Sequence, residues 1–138
     1  LVGFRVEKMN TGRVALAAAM QANSPRERAR LIDIADRAAK RVEKEHTDWG
    51  RVFSQLLRAG TAFMRGRHDQ AVKLLRSIEH LGEEQEMFLH VACARRRLGE
   101  ILAGDEGAAL IAQATKWMQN QGIRNPEAMT RTIVPWGR

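Results

Sequence analysis

A chain of 138 residues with 44% hydrophobic content is long enough to bury a core and too apolar to be disordered throughout. Its single cysteine, Cys93, excludes an internal disulfide and fits a reducing, cytoplasmic compartment. No apolar run approaches the ~20 residues of a membrane span, and the formal charge of +7 admits nucleic acid, an acidic protein or an anionic surface as partner.

In chain order, Val6, Met9, Leu16 and Met20 make one apolar stripe over about 4–20 and predict a first helix, weakened at Gly12. Ser24-Pro25-Arg26-Glu27 is a capping-box pattern with proline at the first helical position. The helix it starts should run to about Glu45. Leu31, Ala35, Ala38 and Val42 fall on its apolar face, with Asp33–Arg37 and Asp36–Lys40 as i,i+4 pairs outside. Thr47 or Asp48 caps a third helix that ends near Gly66. A fourth spans Asp69 to about Gly82. A fifth opens on Glu83-Glu84-Gln85-Glu86, where the dipole favours negative charge, and ends at Gly104. A sixth runs from Asp105 to Asn120 with Gly122 as its stop. Asn125-Pro126-Glu127 begins a short last helix, ended by Pro135, in which Ile123, Met129 and Ile133 can close the open end of the fold. No segment alternates long enough to be a strand.

Two stretches repeat. Asp69-Gln70-Ala71-Val72-Lys73-Leu74-Leu75 superposes on Asp105-Glu106-Gly107-Ala108-Ala109-Leu110-Ile111, and the preceding helices match as Trp49 with Met87, Phe53 with Val91, and Leu56 with Ala94. A helix–turn–helix unit used more than once predicts an all-α array of stacked antiparallel hairpins: about six helices plus a short C-terminal one. One domain over 1–138 is expected, with hairpins at about 4–45, 47–82 and 83–122 and a tail at 123–138. Leucine at position 1, without an initiator methionine, suggests a piece of a longer chain.

The second and third hairpins resemble tetratricopeptide-like repeats, with Gly60 where two helices of a pair would come close and Ala71 and Gly107 as the small residues of the second helix. That resemblance implies a right-handed array. The string Ala94-Arg95-Arg96-Arg97-Leu98-Gly99-Glu100, Gly104-Asp105-Glu106-Gly107, Trp117-Met118 and Gln121-Gly122-Ile123-Arg124-Asn125-Pro126 resembles the C-terminal end of large bacterial eukaryotic-type serine/threonine kinases over residues 90–135. This implies a non-catalytic repeat segment of a multidomain signalling protein. It carries over no catalytic residue, because the chain has no Gly-rich loop, His-Arg-Asp or Asp-Phe-Gly motif.

The chemistry-bearing residues are sparse. His90 and Cys93 share a helix face but lack the further ligands zinc requires. Cys93, between Val91, Ala92 and Ala94, reads as core rather than nucleophile. Neither a cofactor nor a catalytic residue is expected, and the chain is not read as an enzyme. Trp117, spaced helically with Ala114 and Ile111, reads as core, and Trp136 as either a docking residue or an exposed end. Arg51, Arg58 and Arg65 recur every seven residues, and Arg95-Arg96-Arg97 is the densest basic run. The expected function is protein–protein interaction through a groove lined by Leu57, Thr61 and Arg65, with Arg58 and Arg95 at its rim, and the expected partner is a protein or acidic peptide. The alternative is a nucleic-acid-linked regulator using the basic surface; the low aromatic content disfavours base stacking. Leu1, Val2, Phe4, Val6 and Met9 would form an apolar N-terminal face that lets the chain dimerise.

Overall fold

A computed structural model describes residues 2–137, with side chains from Glu7 to Gly137, as seven helices and no strand. They are α1 (Val2–Met20), α2 (Pro25–Glu43), α3 (Asp48–Met64), α4 (His68–Glu84), α5 (Phe88–Leu102), α6 (Gly104–Asn120) and α7 (Pro126–Ile133). Each packs on its neighbours in sequence; α1 also touches α3, and α7 rests on α5 and α6. The result is a repeat-like helical array. Its repeat shows in length: α4 and α6 are both 17 residues and start 36 positions apart.

Capping chemistry sets three of the starts. Ser24 Oγ accepts from the Glu27 amide at 3.1 Å, Thr47 Oγ1 from the Gly50 amide at 3.1 Å, and Asn125 Oδ1 from the Ala128 amide at 3.0 Å. Glu27 does not complete the box; its carboxylate holds Arg30 instead, at 2.6 and 3.0 Å. Three ends share one pattern. Gly66, Glu86 and Gly122 have φ of 78, 55 and 84°. After each, an amide reaches back to the third-last carbonyl: Arg67 to Ala62, Met87 to Gly82, and Ile123 to Met118, at 2.8 to 3.0 Å.

The acidic run is therefore the end of α4, not the start of α5. Glu83 and Glu84 sit at the negative pole of the helix, where the Arg95 cation, 2.8 Å from Glu83, offsets the dipole; Glu84 lies 3.1 Å from the His80 ring nitrogen Nε2. Gly82 is not a stop. A Cβ there would stand 2.5 Å from Val91 Cγ2, so this glycine lets α5 close onto α4. Gly99 and Gly107 do the same between α5 and α6, where a Cβ on either would meet the other's carbonyl oxygen at 2.5 or 2.3 Å.

Ionic contacts join one hairpin to the next. Arg65 of α3 binds Asp36 at 2.6 Å and Asp33 at 3.0 Å on α2, and Arg58 takes Glu43 of α2 through two nitrogens. Arg95 of α5 repeats the arrangement, reaching Glu79 and Glu83 of α4 at 2.8 Å. Asp33 and Asp36 thus answer α3, not Arg37 and Lys40 as their spacing suggests. Such part-exposed pairs contribute about 0.2–1 kcal/mol each and fix register more than stability.

The α5–α6 turn is strained. Ala103 has φ 56° and ψ −164°, a region that glycine alone enters freely and that costs a side chain ~1–3 kcal/mol. Ala103→Gly should raise stability by about 1 kcal/mol after the unfolded-state entropy of glycine is deducted, a gain of roughly 3 °C in Tm. Thermal denaturation checks it; an unchanged or lowered Tm would show that the turn stores no strain.

Candidate interaction groove

The chain beyond α7 turns back into the array. Trp136 is 2% exposed, although it is the third residue from the end. Its indole lies over residue 60. A Cβ on Gly60 would stand 2.6 Å from Trp136 Cδ1, 2.7 Å from its Nε1, and 2.7 Å from Leu16 Cδ1 of α1. Phe63 flanks the ring with centroids 5.4 Å apart. Gly60 therefore does not mark the crossing within the α3–α4 pair; it is the floor of a slot between α1 and α3 that the tail fills. What remains is a cavity of about 10 Å³ bounded by Met9, Phe53, Leu57, His90, Ile133 and Trp136, room for at most one water.

Arg97 holds the tail in place. It is 3% exposed and gives Val134 O two hydrogen bonds, from Nε at 3.2 Å and Nη2 at 2.8 Å. A Cβ on Gly137 (φ 98°) would lie 2.9 Å from Arg97 Cδ, so the tail backbone runs against the arginine stem. Glu100 balances the buried charge with both oxygens, at 2.9 and 3.0 Å. Burying a guanidinium is tolerable only with such pairing. Arg96 is also buried. Its guanidinium meets the Thr115 hydroxyl and stands 3.9 Å from Glu127 of α7.

The five residues expected to form the partner groove do not converge. Leu57 is buried beneath Gly12 of α1, where a Cβ would come within 2.7 Å of its methyl; Gly12 is thus a packing point of α1 rather than a flaw. Thr61 is buried and donates to Arg58 O at 3.1 Å. Arg58, Arg65 and Arg95 point at neighbouring hairpins and are part of the scaffold. The groove that does exist is lined by Leu16, Gly60 and Phe63 and gripped by Arg97. Of the apolar N-terminal face, the side chains of Leu1, Val2, Phe4 and Val6 lie outside the described residues, and Met9 is buried with Val42 and Phe53.

His90 and Cys93 diverge in role. Burial, helped by the Arg13 charge, pushes the His90 imidazole down to about 4; its ring meets Phe53 edge-on at 5.3 Å. Burial raises the Cys93 thiol to about 11, against an opposing hydrogen bond from Thr130 and the nearby arginine charges. The thiol is thus protonated at neutral pH, which removes its nucleophilicity. No group of three or more His, Cys, Asp or Glu side chains capable of holding a metal occurs among the described residues, and no helix there is long and apolar enough to cross a membrane.

Two measurements test this geometry. Gly60→Ala gains ~1 kcal/mol of helix propensity but displaces an indole whose burial contributes ~4 kcal/mol. It should therefore destabilise by about 2 kcal/mol or more in urea denaturation; a stabilising effect would place Trp136 elsewhere. His90 binds a proton more weakly folded than unfolded. Its contribution is complete above about pH 6.5 and drains as pH falls towards 4, amounting to ~2 kcal/mol by pH 4.5. His90→Phe should flatten the Tm–pH curve over that window; parallel curves would contradict the burial of His90.

No family model matches the chain, and no curated protein or solved structure matches it. Function is therefore read from the groove, the tail and the distribution of charge.

Proposed function

We propose that this chain is a non-catalytic interaction segment whose groove takes a short apolar peptide, with its own C-terminal tail as the resting occupant. The observation that carries the reading is Trp136, seated on Gly60 while Arg97 binds the carbonyl two residues before it. Side-chain burial in a pocket plus a backbone carbonyl held by a fixed donor is how a groove recognises an extended peptide. The chemistry of the occupant follows from the tail: a β-branched residue whose carbonyl accepts from Arg97, a proline, then a large aromatic. Pro135 suits the tight turn in which the Trp136 amide bonds Val134 O at 2.9 Å. A partner segment of that composition would compete with the tail, which makes the segment regulatory. Its setting in a bacterial kinase-type signalling protein rests on the resemblance of residues 90–135 alone.

The test empties the groove and refills it. Trp136→Ala in the full chain should bind a synthetic peptide of residues 132–138 with a Kd in the micromolar range, while the wild-type chain, already filled, should not. Titration calorimetry reads both. A folded Trp136→Ala variant that ignores the peptide would overturn the proposal, as would equal binding by the wild type.

A further inference from the structure

The charge on α2 is arranged differently from the charge elsewhere. Its four carboxylates are all engaged: Glu27 by Arg30, Asp33 and Asp36 by Arg65, and Glu43 by Arg58. Because Arg58 and Arg65 take three of those carboxylates and Arg30 the fourth, five other cations on α2 and at its C-cap are left without a counterion. Arg26, Arg37, Lys40, Arg41 and Lys44 are all exposed, and no salt bridge or hydrogen bond joins them to another described residue. At 100° per residue they fall within one sector of the helix, over a length of about 27 Å, which they share with Arg30, held by Glu27, and with the exposed Asp33 carboxylate, neutralised by Arg65. Helix stability does not explain the stripe. Cations at 40, 41 and 44 suit the C-terminal turn, but Arg26 lies in the first turn, where the dipole disfavours positive charge.

We propose that this outward face of α2 binds the phosphate backbone of a duplex nucleic acid. Four unpaired cations over residues 37–44, with Arg26 about 16 Å further along the same face, match a rigid polyanion carrying a phosphate charge every ~1.7 Å of axis. No aromatic side chain lies in the stripe to stack an unpaired base, which disfavours a single strand. The fully exposed apolar residues of α2 are only the small Pro25 and Ala29, which give the helix no large apolar edge to insert into a membrane. The side chains offered are charges on flexible stems without a base-reading partner, and the binding is therefore independent of sequence. The surface is separate from the tail groove, and the two readings can fail independently.

The experiment is fluorescence anisotropy of the full chain with a labelled duplex of about 20 base pairs, titrated between about 50 and 200 mM salt. The logarithm of the association constant should fall against the logarithm of salt with a slope of about −4.5, since about five phosphates are neutralised. The double variant Arg37→Glu/Lys44→Glu should weaken binding at least about tenfold. The control Lys73→Glu/Lys116→Glu makes the same change of net charge on α4 and α6, and should weaken it less than about threefold. Circular dichroism confirms that both remain folded. Equal losses in the two variants would show that net charge alone is responsible and overturn the assignment. Binding to phosphatidylserine vesicles or to a poly-glutamate peptide without binding to the duplex would overturn it as well, as would a slope shallower than about −2.

Discussion

The indole of Trp136 can enter the array only because residue 60 has no side chain. Leu16 Cδ1 and the indole both stand where a Cβ would be, so a single methyl group at that position would force either α1 or the tail to move. Around that vacancy the rest of the C-terminal architecture is ordered. Phe63 closes one side of the ring, Arg97 holds the carbonyl of Val134, and Glu100 neutralises Arg97. Helix α7 sets the length of chain between α6 and the groove, its start fixed by Asn125 and Pro126. Val134 and Trp136 are thereby buried although they lie in a segment with no regular structure.

The second organising fact is where positive charge is spent. Arginines of α3 and α5 lean back on carboxylates of α2 and α4, and two arginines of the Arg95–Arg97 run are buried. Basic runs that look like a binding stripe in the sequence thus hold the hairpins in register or pin the tail. Their cost is displaced to α2: once Arg58 and Arg65 have taken three of its carboxylates, Arg26, Arg37, Lys40, Arg41 and Lys44 face solvent unpaired. Internal ionic pairing and the external basic face are two consequences of one arrangement.

Much of the fold was legible because local chemistry and global packing agree. Ser24-Pro25, Thr47 and Asn125-Pro126 are caps in the sequence and caps in the fold, and the hairpin repeat appears as two second helices of equal length. The errors have physical sources. Glu83 to Glu86 resemble a helix start by charge, but packing of Gly82 against Val91 lets α4 run on to Glu84, and the left-handed Glu86 then ends it. Asp33 and Asp36 sit at good i,i+4 spacing, yet an arginine from the next hairpin offers a bidentate alternative that spacing within one helix cannot reveal. Register alone points Leu57 and Thr61 at a partner groove, yet Leu57 is buried against Gly12 of α1 and Thr61 turns its hydroxyl onto the Arg58 carbonyl. Trp136 was identifiable as a docking candidate, and the signal for its seat was Gly60, whose role depends on a residue 76 positions away.

The central claim is that the tail occupies the groove in the folded chain, and nuclear Overhauser contacts of the Trp136 indole test it most directly. The account predicts cross-peaks from the indole Hδ1 and Hε1 protons to the Gly60 α-protons and the Leu16 methyls, since the indole and Leu16 Cδ1 both lie within 2.7 Å of where a Gly60 Cβ would stand. An indole showing only contacts within residues 133–137, in a chain whose other amides are dispersed and helical, would contradict it.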